Sequence, residues 1–119
     1  MTDQTRQGRI EISPHAIATI AGDAVLRCYG VVGVASKNLI GGLADLLQPD
    51  RWGRGVDVHV HDGSVVVDLY VIIQYGTSIS EVAHEVQNSV KYALEQTLGV
   101  PIAAVNVHVQ GLRMPNGAQ

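Results

Sequence analysis

Two spacings of apolar residues divide the chain. Alternation at every second position predicts strands over residues 9–12, 56–61, 64–74 and 104–112. Spacings of three and four predict two helices. In the first, Ile17, Ile20, Ala21, Ala24, Val25 and Cys28 draw a single stripe. In the second, Val82, Val86, Val90, Ala93, Leu94 and Thr97 face one way, with Glu85, Asn88, Lys91 and Glu95 facing another. Ser13-Pro14 is a start signal for the first helix, a capping hydroxyl followed by proline at the first helical position, and Gly30 ends it. Ser78 and Glu81 have the spacing of a capping box for the second, which Gly99 and Pro101 close.

The order strand, helix, strand, strand, helix, strand fits an α+β fold. We expect a two-layer sandwich in βαββαβ order, a mostly antiparallel four-stranded sheet with two long helices on one face. Residues 9–112 are expected to form a single domain. Residues 1–8 are read as a disordered N-terminal segment and 113–119 as a tail. Between the helix and the central strands lies a glycine-punctuated connection. Within it, residues 39–52 have a short leucine-rich helical pattern ending near Trp52, read as a cover for one sheet edge or as a docking helix.

The central strands carry the most information. Asp62-Gly63 is a two-residue hairpin turn, which sets Val56 against Leu69, Val58 against Val67 and Val60 against Val65. The opposite face then carries Asp57, His59 and His61 against Asp68, Val66 and Ser64, with Tyr70 and Ile72 beyond. Asp57 falls directly opposite Asp68, a destabilising pairing unless something bridges it. His59, diagonal to Asp68, is one candidate bridge, and Arg9 on the first strand is another. In the last strand Val105, Val107 and Val109 point inward, with Asn106, His108 and Gln110 outward. A strand apolar on both sides is usually covered on both sides. The helix-free face is therefore the expected interaction surface, built from Asp57, His59, Val66, Asp68, Tyr70, Ile72 and His108.

Composition narrows the chemistry. In 119 residues, 46% are hydrophobic, yet there is no Phe, one Trp and four Tyr. A core of Val, Ile, Leu and Ala suits thin layers better than a large ligand cavity. The net charge of −3 argues against a nucleic-acid partner and against adhesion to anionic lipid. No apolar run reaches the roughly 18 residues that span a bilayer, so direct membrane insertion is not expected. The single cysteine, Cys28, continues the stripe of the first helix and reads as a buried structural thiol. Together these features point to the cytoplasm.

No catalytic residue emerges, because there is neither a phosphate-cradling loop nor a nucleophile elbow. His59, His61 and His108 share a face with aspartates, but two residues apart in any strand share a face, so no metal site and no cofactor is expected. His15 and His84 read as plain surface residues. Gly30-Val31-Val32-Gly33 matches the GXXG that clamps an RNA backbone, but the loop is apolar and a helix ending accounts for it.

Four segments carry a resemblance: IEISPHAIATIAGDAV, VVVDLYVIIQYG, ISEVAHEVQNSVKYALE and AVNVHVQGL. In this order they resemble the alkaline shock protein family of bacterial envelope stress proteins, from residue 8 to 112. The resemblance implies a cytoplasmic, non-enzymatic protein of cell-envelope homeostasis with no catalytic set. Larger relatives are held at the inner face of the membrane by a membrane-anchored partner and tend to self-associate. A homo-oligomer docking to an envelope-linked protein is thus the expected function. A small-molecule-binding regulatory module of similar strand-helix order is the alternative, although Ser13-Pro14-His15 lacks the glycine-rich turn that would make room for a ligand.

Overall fold

The computed structural model describes residues 2–5, 7–35 and 55–114. Along them run β1 (Thr2–Thr5), β2 (Gly8–Glu11), α1 (Pro14–Leu26), β3 (Val31–Val34), β4 (Val56–His61), β5 (Ser64–Gln74), α2 (Ile79–Leu98) and β6 (Ala104–Arg113). The strong leucine pattern of residues 39–52 lies outside the described residues, as do residues 115–119.

β5 organises the sheet. Its first half pairs antiparallel with β4 and its second half antiparallel with β3, while β6 runs parallel along its other side. Asp62 and Gly63 both hold positive φ, 51° and 80°, which a two-residue hairpin turn requires. The register is the expected one: Val56 faces Leu69, Asp57 faces Asp68 and His59 faces Val66. The handover from β4 to β3 falls at Tyr70, whose N–H donates to the Gly55 carbonyl and whose carbonyl accepts from Ala35 N–H. A parallel neighbour needs a long crossover, and α2 supplies it between β5 and β6.

Side-chain parity then assigns the faces. Val65, Val67, Leu69, Val71 and Ile73 of β5 are wholly buried under both helices, against Ile17, Ala21 and Val25 of α1 and Val86, Val90 and Leu94 of α2. Helix α1 begins as expected, with Ser13 Oγ accepting from Ala16 N–H at 3.1 Å and Pro14 following. Helix α2 ends at Gly99, whose φ of 74° forms a left-handed cap. Its start differs from the capping-box reading, because Ser78 makes no side-chain cap and Thr77 Oγ1 donates instead to the Gln74 carbonyl.

The two-layer α+β plan with helices on one face is as expected, but its fourth strand is a different one. Strand β2 does not join the main sheet; it pairs with β1 as a separate hairpin, Thr2 facing Glu11 and Thr5 facing Gly8. Residues 2–5 are thus a strand where a disordered segment was expected. A ladder held by main-chain bonds, with every side chain of β2 exposed, leaves no hydrophobic pattern to betray it. The place in the main sheet goes to Val31–Val34, whose apolar VVGV is too short to show alternation. This also settles Gly30 and Gly33. Gly30 has φ 91° and packs against α2, where a Cβ would come within 2.8 Å of Val82 Cγ2. Gly33 sits in β3 beside a register shift.

Candidate functional site

On the sheet face that no described helix covers, Asp68 is a hub. It sits on β5 with β4 on one side and β6 on the other, and its side chain is only 17% exposed. Asn106 Nδ2 donates to Oδ1 at 3.1 Å, and His108 Nε2 lies 3.0 Å from the same oxygen. From the opposite flank, His59 Nε2 lies 3.2 Å from Oδ2. A carboxylate can only accept, so both imidazoles present N–H to it. The predicted bridge therefore forms through His59, not Arg9, which lies on β2 outside this sheet. Asp57 stays opposite Asp68, and the like-charge pairing is relieved because Asp68 is turned into three donors.

The electrostatics follow from those contacts. The hydrogen bond from His108 holds the Asp68 carboxyl below the ordinary carboxylate range. Partial burial pushes the other way, but the Asn106 bond and the positive charge available on His108 and His59 reinforce the lowering. Tyr70 completes the group. Its ring stacks on His108 with centroids 4.6 Å apart and planes 12° from parallel, which fixes the imidazole's orientation.

The other predicted residues divide. Val66 is half-buried beside Ala104 on the same face. Ile72 has the right parity but is only 5% exposed, so it is no anchor for a partner. Part of the reason is visible at Gly111, opposite Ile72 in the ladder, where a Cβ would stand 3.3 Å from Ile72 Cδ1. Without a side chain there, Ile72 folds down onto the backbone. His61 projects into solvent, 3.3 Å from the equally exposed Asp62.

Asn106 belongs to the site although the sequence reading left it among outward residues. Its signal was there, two positions before His108 in an alternating strand, but nothing local reveals that β6 lies parallel to β5 in this register. Among the described residues no three His, Cys, Asp or Glu side chains converge to hold a metal ion. The two imidazoles address different oxygens of Asp68. Cys28 is buried under the helices, donates to the Ala24 carbonyl at 3.5 Å, and has its thiol pKa raised by burial. Beside the α1 start, Pro14, His15, Ala18, Val56, Asp57 and Val58 line a depression of only about 190 Å³. That is below the range of small-molecule sites.

Fold and site together define an α+β protein with one sheet face sealed by helices and the other presenting a histidine-flanked aspartate. The chain belongs to the Asp23 family, described as having a cell envelope-related function, whose profile matches residues 2–114; the family's name has no connection with the aspartate at position 23. It is 47% identical over 114 residues to the uncharacterized protein YloU of Bacillus subtilis, covering 95% of each chain. The uncharacterized protein Spy1614 of Streptococcus pyogenes is 40% identical over 111 residues, covering 92% of each. A second Bacillus subtilis relative, the uncharacterized protein YqhY, is 30% identical over 117 residues, or 98% of this chain and 86% of that one. Among solved structures, a MamM CTD aligns with 81% of this chain and 93% of its own at 16% identity and a TM-score of 0.49. No described helix is long and apolar enough to cross a membrane.

Proposed function

We propose that the protein is a non-enzymatic interaction module of the cell envelope, acting on the cytoplasmic side of the membrane. Copies associate with one another, and the open sheet face docks to an envelope-linked protein. The observation that carries this reading is the Asp68 hub. Its carboxylate oxygens are both engaged, Oδ1 by Asn106 and His108 and Oδ2 by His59, so it is spent as a general base and serves instead to fix a polar surface around Tyr70. Among the described residues the histidine rings in hydrogen-bonding contact, His59, His61 and His108, address carboxylates and no hydroxyl or thiol, so none has the partner of a nucleophile-activating base. Pre-oriented polar groups around an aromatic ring lower the ordering cost of binding a complementary protein.

Tyr70→Arg tests the reading. The ring's stack on His108 is lost and a long cation enters the surface, while the core-facing neighbours Leu69 and Val71 are untouched. Capture from envelope fractions with membranes retained should lose a specific envelope protein in the variant, with the circular dichroism spectrum unchanged. Identical captured sets from both proteins would refute the docking face.

A further inference from the structure

The two edges of the main sheet are built differently. On one side the edge is split between β4 and β3, six and four residues long, and carries Asp57. Short strands and charges are the usual guards against edge-to-edge pairing. On the other side β6 runs ten residues, and from Ala104 to Leu112 it carries neither proline nor formal charge.

The direction of its main-chain groups can be worked out. Tyr75 N–H donates to the Arg113 carbonyl, so Arg113 and Gly111 address β5. Gln110 is the extra residue at the register shift, which reverses the parity before it. Asn106 and His108 therefore address β5, and the N–H and C=O groups of Val105, Val107 and Val109 point away from the sheet. Gln87 Nε2 of α2 donates to the Val105 carbonyl at 2.9 Å, in keeping with that direction. Among the described residues this is the one side-chain guard on that edge.

We infer that this edge pairs antiparallel with the same edge of a second copy, about a two-fold axis at Val107. The inference rests on the reading that copies associate and says where they meet. Val107 is the midpoint of the outward-facing run, so Val107 meets its own counterpart and Val105 meets Val109 of the other copy. On the core side the seam is a row of valines, which covers Val109, 37% exposed in one copy alone. On the open side Asn106 meets His108, a neutral amide beside an imidazole, with no like charges opposed. Two copies each of net charge −3 repel overall, and this uncharged strand is where they approach at least cost. Joining there leaves both Asp68 hubs on one continuous face, free for another partner.

The test uses the full chain with Cys28→Ser. Adding Val107→Cys places one thiol on the axis, where facing Cα atoms of a hydrogen-bonded pair lie about 5.5 Å apart, within disulfide reach. Mild oxidation should give a covalent dimer, and His59→Cys in the same background should not. In a separate protein, Val107→Pro removes an outward N–H and leaves the β5 ladder intact, so it should stay folded by circular dichroism and sediment as a monomer. A monomeric parent protein, an equal dimer yield from His59→Cys, or an undiminished dimer in Val107→Pro would each overturn the edge pairing. Envelope capture by Val107→Pro that is lost in Tyr70→Arg keeps the docking face even where the edge fails.

Discussion

Asp68 shows how one side chain can be set by three others. Its lowered pKa means that the ionised form is favoured in the folded protein over the unfolded one. The stabilisation is therefore complete above the ordinary carboxylate range and drains away as pH falls through the lowered value. Asp68→Asn should cost about 1 kcal/mol at pH 7, the scale of a net hydrogen bond among half-exposed partners. The gap in unfolding free energy between the two proteins should narrow as pH falls below the ordinary carboxylate range. Denaturant titrations at pH 7 and at a series of pH values below the ordinary carboxylate range measure it, and a gap that does not narrow along the series would deny the carboxylate its part. Most of this constellation was legible in the residues. Pleating and the Asp-Gly turn by themselves put Asp57, His59, Asp68 and Tyr70 on one face. Asn106 and the burial of Ile72 were not, because each depends on the parallel register of β6 and on Gly111, which no local pattern encodes.

At the scale of elements, the helices were the readable part and the short strands the obscure part. Helix α1 has a start that sequence and structure agree on, with Ser13 Oγ bonded to Ala16 N–H. Helix α2 has a serine at the same position without the bond. Ser13→Ala should therefore lower stability by about 1 kcal/mol and Ser78→Ala by only a few tenths. Chemical denaturation of the two variants decides it, and equal losses would mean that the α1 cap adds nothing of its own. The strands misread were those with no two-sided pattern to read. Thr2–Thr5 is polar throughout and Val31–Val34 has no polar position, so neither alternates. What placed them was pairing, β1 with β2 and β3 with the far half of β5, and pairing is a long-range fact.

Across the whole molecule, the two faces of the sheet are put to different uses. The valine-rich side is filled by α1 and α2, and all the wholly buried residues of β5 lie there. The other side holds Asp68, its three donors and Tyr70, and it is this side that the account assigns to an envelope-linked partner. The helix layer also exposes an aromatic residue, Tyr92, which is 67% exposed on α2 and lies on the opposite side of the molecule. That gives a matched pair of positions. A photoreactive amino acid in place of Tyr70, and in a second protein in place of Tyr92, can be irradiated in living cells. Adducts with an envelope protein from position 70 and none from position 92 are the predicted result. Adducts from position 92 alone would contradict it and move the docking surface to the helices.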